Sequence, residues 1–558
     1  MQISLRFLVL CIIFITISCK EEKTTTSTET TETTKKAPFV WEGANVYFLL
    51  TDRFNNGNSA NDVHFNRSKE TAVLRDFEGG DLVGITQKVK EGYFTDLGVD
   101  AIWFTPVVEQ IHAGVDEGTG FTYGYHGYWA KDWTQLDPNF GTMTELQELI
   151  TTAHHNDIRV VMDVVLNHHG PATDQDPFWG NDWARQNPSC DYNSYEGTTA
   201  CTLVANLPDI LTESTTEVEL PEFLINKWKT EGRYEQEMAE LDTFFKTSQL
   251  QKTPRNYIIK WLTDYVREFG FDGYRVDTTK HVEEEAWVVL REQADKAFAQ
   301  WKQNNTDEAL GDTSFFMFGE VYNYSIDNGR DYDHGNKVVD YYEYGFDNLI
   351  NFQFKYDALG DYETLFAKYD SIQHTAFQGK SFMNYATSHD DGSPFDKNRE
   401  KAIETGTKLL LTPGLSQIYY GDESARDLTI EGTNGDATLR SFMNWEAQQE
   451  PATAAVLEHW QKLGSFRGNH PAVGAGQHTM LSKSPYIFSR QYDNATFNDV
   501  VVVGLDLAVG IKDIEVGNAF AKAETLRDTY SGQEVAIIEG KVRIDSPYTI
   551  VLLEAVTH

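Results

Sequence analysis

Gly273-Tyr274-Arg275-Val276-Asp277 is the stretch that decides the fold of this 558-residue chain. Residues 271–276 form a short β-prone run that ends on an acid, which puts the Asp277 carboxyl at the rim of a sheet rather than in a core. Two further runs end the same way: 315–318 leads into Gly319-Glu320, and 382–387 into Ser388-His389-Asp390. Arg275 and His389 each stand within two residues of one of these acids. Carboxylates tuned to different protonation states are what splitting an acetal requires.

Outward from these three, strand-like runs recur at 46–51, 101–105, 160–166, 271–276, 315–318, 349–354, 382–387 and 417–420, with helical segments between them. Eight strands alternating with helices predict an α/β fold, a (β/α)8 TIM barrel. Two of the helices are well marked. Thr142 and Glu145 form a capping box ahead of Leu146, Leu149, Ile150 and Ala153. Asn256 is expected to cap a helix whose Ile258, Leu262, Tyr265 and Phe269 share one face before Gly270 stops it.

The third and fourth strands are separated by about a hundred residues, far beyond an ordinary βα connection. Residues 169–255 are therefore expected to form an inserted subdomain B after strand 3, splitting the barrel into 38–168 and 256–465. Short alternating runs at 486–489, 500–505, 542–544 and 548–553 predict a C-terminal antiparallel β-sandwich over 466–558.

The formal charge of -38, from 85 acidic against 47 basic residues, excludes nucleic acid as a natural partner and opposes binding to an anionic membrane surface. At the N-terminus, Arg6, the apolar run 7–17 and Ser18-Cys19 read as an export signal over 1–19, too short to span a membrane. The Ile-Ser-Cys ending resembles a bacterial lipoprotein signal. That implies lipidation of Cys19 and an outer-membrane protein, facing the cell surface or the periplasm, attached to the membrane only through its anchor. Lys20-Glu21-Glu22 resembles signals that send lipoproteins to the cell surface. Residues 20–37 are rich in Thr, Glu and Lys and read as a flexible tether. Outside the signal only Cys190 and Cys201 remain, an even pair in an exported chain, for which a disulfide is favoured over two buried thiols. A monomer is expected.

The motifs Asp163-Val-Val-Leu-Asn-His168, Gly273-Tyr-Arg-Val-Asp-Thr-Thr-Lys-His281, Gly319-Glu-Val321 and His389-Asp390, with Leu207-Pro-Asp-Ile210 between the first two, resemble in type and order the short conserved regions of the alpha-amylase family, glycoside hydrolase family 13. Tyr125-His-Gly-Tyr-Trp129 and the stretch Gly414 to Glu423 extend the resemblance to nearly the whole chain from about residue 39.

It implies a secreted, lipid-tethered, retaining, endo-acting alpha-amylase on α-1,4-glucosidic bonds of starch, glycogen or maltooligosaccharides. A cyclomaltodextrinase, neopullulanase or glucanotransferase of the same family is the alternative, and a catalytically silent starch-binding lipoprotein is the alternative of another class. The intact acid, nucleophile and arginine oppose the last. Asp277 is implied as nucleophile, kept ionised by Arg275, Glu320 as general acid and base, and Asp390 as the carboxylate that helps distort the sugar. His126, His168 and His389 are implied to bind its hydroxyls, Tyr123, Tyr125 or Tyr128 to stack on it, and Lys280 to contact the leaving sugars.

A calcium ion is implied on Asn167, Asp209 and the His281 carbonyl, oxygen ligands that suit a hard cation. Asn56-Gly-Asn58-Ser-Ala-Asn61-Asp62 with Gly79-Gly-Asp81 resembles a second calcium loop; as bare sequence its first part is also a simple turn. Ser388 and Ile210 stand where the family commonly has Asn and Leu, which leaves product specificity open.

Overall fold

The computed structural model describes residues 37–556. The signal 1–19, the lipidation candidate Cys19 and nearly all of the 20–37 stretch lie outside them.

Eight strands, β1 (Asn45–Leu49), β2 (Ala101–Phe104), β3 (Arg159–Val164), β4 (Gly273–Val276), β5 (Phe316–Gly319), β6 (Asn348–Asn351), β7 (Ser381–Tyr385) and β8 (Leu415–Tyr419), close into a barrel in sequence order. The β1–β8 pairing is parallel, like its neighbours, and seals the sheet. Every residue of these strands is buried, as expected of a sheet with helices outside and packed side chains within. Each predicted run contains its strand or overlaps it. Inside, Phe48 stacks on Trp103 at 3.7 Å between ring centroids, and Trp103 meets Phe318 edge-on at 5.6 Å. These rings form an apolar floor beneath the ends of β4 and β5.

The helix Met143–His155 begins with the full capping box of Thr142 and Glu145. The helix Pro254–Phe269 buries Ile258, Leu262, Tyr265 and Phe269 and ends at Gly270, whose φ of 83° is the left-handed stop a glycine permits. Asn256 does not cap it. Pro254 sits at the first position, where its fixed φ starts the helix early, and Asn256 lies inside the first turn, its amide donating to the Gln251 carbonyl at 2.9 Å.

The segment between β3 and that helix contains two helices, Glu222–Glu231 and Tyr234–Ser248, absent from the sequence reading. They bury only a few apolar side chains, Leu224 and Trp228 in one and Leu241, Phe244 and Phe245 in the other, so their periodicity is faint. Cys190 and Cys201 form a disulfide, S–S 2.01 Å.

The C-terminal sheet starts at Gln477 rather than 466, because Pro451–Asn469 and Pro471–Ala475 first continue as helices. Six antiparallel strands pack against the pair Gly510–Glu515 and Lys541–Ser546 over a core that includes Val502, Ile514, Leu526, Ile544 and Leu553. The strand Val551–Ala555 lies in the middle, between Asn498–Leu505 and Thr525–Asp528.

Candidate active site

Asp277 and Glu320 follow directly on β4 and β5, and the ladder holds both. The Asp277 amide donates to the Val164 carbonyl at 3.0 Å, the Glu320 amide to that of Val276 at 2.9 Å. Both carboxylates therefore stand at the C-terminal rim, where barrels of this kind present their chemistry. Arg275 is 1% exposed and gathers them. Its Nη1 lies 2.8 Å from Asp277 Oδ1 and 2.9 Å from Asp163 Oδ1, and its Nη2 lies 2.8 Å from Glu320 Oε2.

Three buried carboxylates share one guanidinium, so compensation is incomplete. Burial raises Asp277 to about 6 against the pull of Arg275, with Asp163 adding to the rise. Arg275 does pull it down, as expected, but desolvation outweighs that pull, and Asp277 still stays ionised at neutral pH. Glu320 is pushed to about 8 by burial, opposed by Arg275 and reinforced by the charges of Asp390 and Asp277. Burial works against Asp390 as well, but Arg275, Arg440 and the Ser388 hydroxyl, 2.9 Å from its Oδ1, hold it below the usual range. His389 is itself held neutral by burial, at about 3, so the charge through which it could lower Asp390 is absent at neutral pH.

Sequence reasoning gave no role to two members of this group. Asp163 accepts Trp103 Nε1 and the Tyr128 hydroxyl, both at 2.9 Å, which fixes it as the far wall of the arginine. It opens the motif 163–168, so its place at the end of β3 follows from the sequence. Thr278 adopts φ 47°, a strained left-handed conformation for a β-branched residue, and aims its amide at Glu320 Oε2, 3.1 Å away. No sequence signal marks that; threonine argues against a positive φ.

Tyr128 stacks on both His126 and His389, with ring centroids 5.8 and 5.4 Å apart, and is the half-exposed ring of the tyrosine trio. Tyr123 is 3% exposed, packed edge-on against Phe121, with its hydroxyl accepting the Lys69 amide at 3.1 Å. Tyr125 is buried under Arg53. Neither offers a free stacking face. His389 Nδ1 is buried with no partner, and His126 Nδ1 accepts the Tyr128 amide. His168 donates from Nε2 to the Tyr128 carbonyl at 3.0 Å, so its ring already serves the framework. Burial keeps all three imidazoles neutral, His168 at about 4. Lys280 donates to the Tyr322 carbonyl and the Tyr332 hydroxyl, and burial lowers it to about 8.

The first calcium set converges. The Asn167 side-chain oxygen faces the His281 carbonyl oxygen at 3.0 Å and Asp209 Oδ1 at 3.2 Å; only a reversed amide would make these hydrogen bonds. Burial raises Asp209 to about 9 although Arg185 Nε lies 2.7 Å from its other oxygen. Three hard oxygens facing one another beside an under-compensated carboxylate fit a calcium ion. The second set is also brought together, but it is largely satisfied internally. Asp81 accepts the amides of Gly57, Asn58 and Gly84 as a helix cap, and Asn56 donates to Asp62 Oδ1 at 2.9 Å. Asn58 accepts the Ala60 amide, and a Cβ on Gly79 would strike Asn56 and Asp62. The Asn61 amide alone is buried with neither end partnered.

A groove of about 1560 Å³ runs outside the barrel, walled in part by Met143, Glu237, Phe244, Lys260 and Tyr265. None of the three rim carboxylates lines it; the chemistry, not the volume, marks the site.

Residues 48–460 match the family model described as "Alpha amylase, catalytic domain". The periplasmic alpha-amylase of Escherichia coli (strain K12) is 37% identical over 522 residues, covering 83% of this chain and 72% of that one. A cyclomaltodextrin glucanotransferase of Thermoanaerobacterium thermosulfurigenes is 26% identical over 479 residues, covering 80% of this chain and 58% of its own length. Among solved structures, an alpha-amylase from Geobacillus thermoleovorans complexed with acarbose shares the fold at a TM-score of 0.63 and 22% identity, covering 93% of this chain and 100% of that one. With the barrel, the rim acids and these likenesses together, the chain belongs to the alpha-amylase family and is a glycoside hydrolase.

Proposed function

We propose that the protein is a retaining, endo-acting alpha-amylase that hydrolyses internal α-1,4-glucosidic bonds of starch, glycogen or maltooligosaccharides. One observation carries this reading: at the C-terminal rim Asp277 and Glu320 lie on one guanidinium, 2.8 Å from each, with burial raising Glu320 to about 8 and Asp277 only to about 6.

Glu320 gives its proton to the glycosidic oxygen while Asp277 attacks C1 from the opposite face. The C1–oxygen bond breaks, the leaving sugar departs with the proton, and a glycosyl ester forms on Asp277. Glu320, now a carboxylate, takes a proton from water, whose oxygen attacks C1 and expels Asp277. Two inversions restore the α configuration. Asp390 and His389 hold the sugar beside Tyr128, and Lys280 faces the leaving side. Asn167, Asp209 and the His281 carbonyl would hold calcium, which supplies charge that keeps the inserted segment against the rim.

If a sugar rather than water attacks the ester, the same residues perform transfer. The likeness to a glucanotransferase keeps that second reading in view. Export fits the disulfide and the name of the Escherichia coli relative, with Cys19 as the lipid anchor.

Incubation with amylose, pullulan and maltoheptaose, with products resolved over time, tests the proposal. New reducing ends from amylose, absent in Asp277→Asn, are expected. Products longer than maltoheptaose would shift the assignment to transfer, and full activity in the variant would remove Asp277 as nucleophile. Chelation should lower the melting temperature of the wild type more than that of Asn167→Ala; equal shifts would remove the first calcium site.

A further inference from the structure

Immediately after Asp390, Asp391 is turned the other way, into a buried polar knot that the mechanism above does not use. Its Oδ2 accepts the Lys355 ammonium and the Tyr385 hydroxyl, the latter at 2.6 Å, and its Oδ1 accepts the Ser393 amide at 3.0 Å. Lys355 is 6% exposed and Asp391 5%. Tyr385 ends β7, and Lys355 lies in the short helix Phe354–Asp357 that follows β6. Three rim elements thus meet on one carboxylate whose neighbour in the chain faces the reacting sugar.

Burying an ion pair has a desolvation cost, and an apolar pair of similar shape would often stabilise the fold as well. What such a pair adds here is placement and charge. Adjacent carboxylates repel: without a cation, Asp391 would drive Asp390 toward its neutral form and strain the turn that aims it. Lys355, lowered to about 8 by burial against the pull of Asp390, is charged at neutral pH and cancels the Asp391 charge from behind.

We propose that Lys355 is a positioning residue of the glycosidase site, acting through Asp391 to hold Asp390 ionised and directed into the cleft. This deepens the proposed function and rests on its assignment of Asp390. Lys355 touches no substrate in this scheme.

The test compares full-length wild type, Lys355→Met, Lys355→Arg and Lys355→Met/Asp391→Asn on amylose across pH. In Lys355→Met, kcat should fall about tenfold with a smaller change in KM, because Asp390 acts on the distorted sugar. Loss of the cation leaves Asp391 uncompensated beside the site, so the acid limb of the pH profile should move up by roughly one unit, and the basic limb less, because Lys355 itself sheds its proton near 8. Lys355→Arg should keep the wild-type acid limb, and the charge-neutral double variant should bring it back. An unmoved acid limb in Lys355→Met, or a double variant with an acid limb as displaced as that of the single one, would overturn the proposal. If Lys355→Met does not fold, the acid limbs of Lys355→Arg and Asp391→Asn decide: the arginine variant should match wild type, and Asp391→Asn should move the limb down. Failure of the amylase reading itself is distinct, since wild type would then release no reducing ends at any pH.

Discussion

Two buried charge clusters in this protein are compensated to different degrees. At the rim, Asp163, Asp277 and Glu320 share Arg275, and burial raises all three acids. On the flank of the inserted segment, Asp132 contacts Lys227 and Arg233 at 2.8 and 3.0 Å, while Glu109 contacts the same lysine and His112 at 2.8 and 2.9 Å. There burial again opposes ionisation, but Lys227, the Thr134 hydroxyl and Arg233 outweigh it and Asp132 is lowered. Burial alone therefore does not make a reactive acid. The share of cations matters as well. One guanidinium serves three acids at the rim, whereas on the flank Lys227 and Arg233 serve Asp132, Glu109, Glu231 and Glu237. Asp132 is held by both cations at once, and the flank is framework.

The largest separation between the clusters should appear in turnover. Asp277→Asn should reduce amylose hydrolysis by about 10⁴-fold, as loss of a nucleophile does, while Asp132→Asn stays within about tenfold. Comparable losses would erase the distinction. Next comes removal of the cations. Arg275→Met strands three carboxylates and should cost about 3–5 kcal/mol in chemical denaturation, whereas Lys227→Met leaves Arg233 on Asp132 and should cost less.

Stability against pH should diverge in sign. Glu320 has its folded value raised, so between about 4.5 and about 8 the unfolded chain has released a proton that the folded one retains, and stability falls as pH rises. Glu320→Gln should therefore be more stable than wild type near pH 7, by up to about 3 kcal/mol, with the gap closing toward pH 4.5. Asp132 has its folded value depressed, so its contribution is present above the unfolded value of 3.8 and lost as pH falls through the folded one. Asp132→Asn should be less stable at pH 7, by about 2 kcal/mol. Melting curves at several pH values read both. The smallest effect is the rate profile of the wild type: a bell with limbs near 6 and 8, tenfold per unit outside them, the acid limb protonating Asp277 and the basic limb ionising Glu320.

Much of this architecture is legible in the sequence. A parallel strand buried on both faces must be a nearly continuous apolar run, so all eight strands announced themselves, and an acid closing such a run can only lie at an end. The capping box and Gly270 were readable because their chemistry is local. What escaped depends on three dimensions. Tyr123, Tyr125 and Tyr128 are equivalent in sequence, and only packing shows that the first two are covered. The direction of the Asp277 shift depends on how much water is excluded, which no neighbour in sequence reports. Thr278 violates its own preference, and the helices after Pro221 carry too few apolar residues to show a period.

The central place of Val551–Ala555 in its sheet has a consequence for biogenesis. On a ribosome, or emerging from a translocon, Asn498–Leu505 and Thr525–Asp528 are delivered first and must wait with facing edges unpaired until this strand arrives to join them. The barrel can close while synthesis continues; the C-terminal sheet cannot. A chain cut short before residue 551 would keep every group of the active site and still present two open strand edges to whatever quality control it meets.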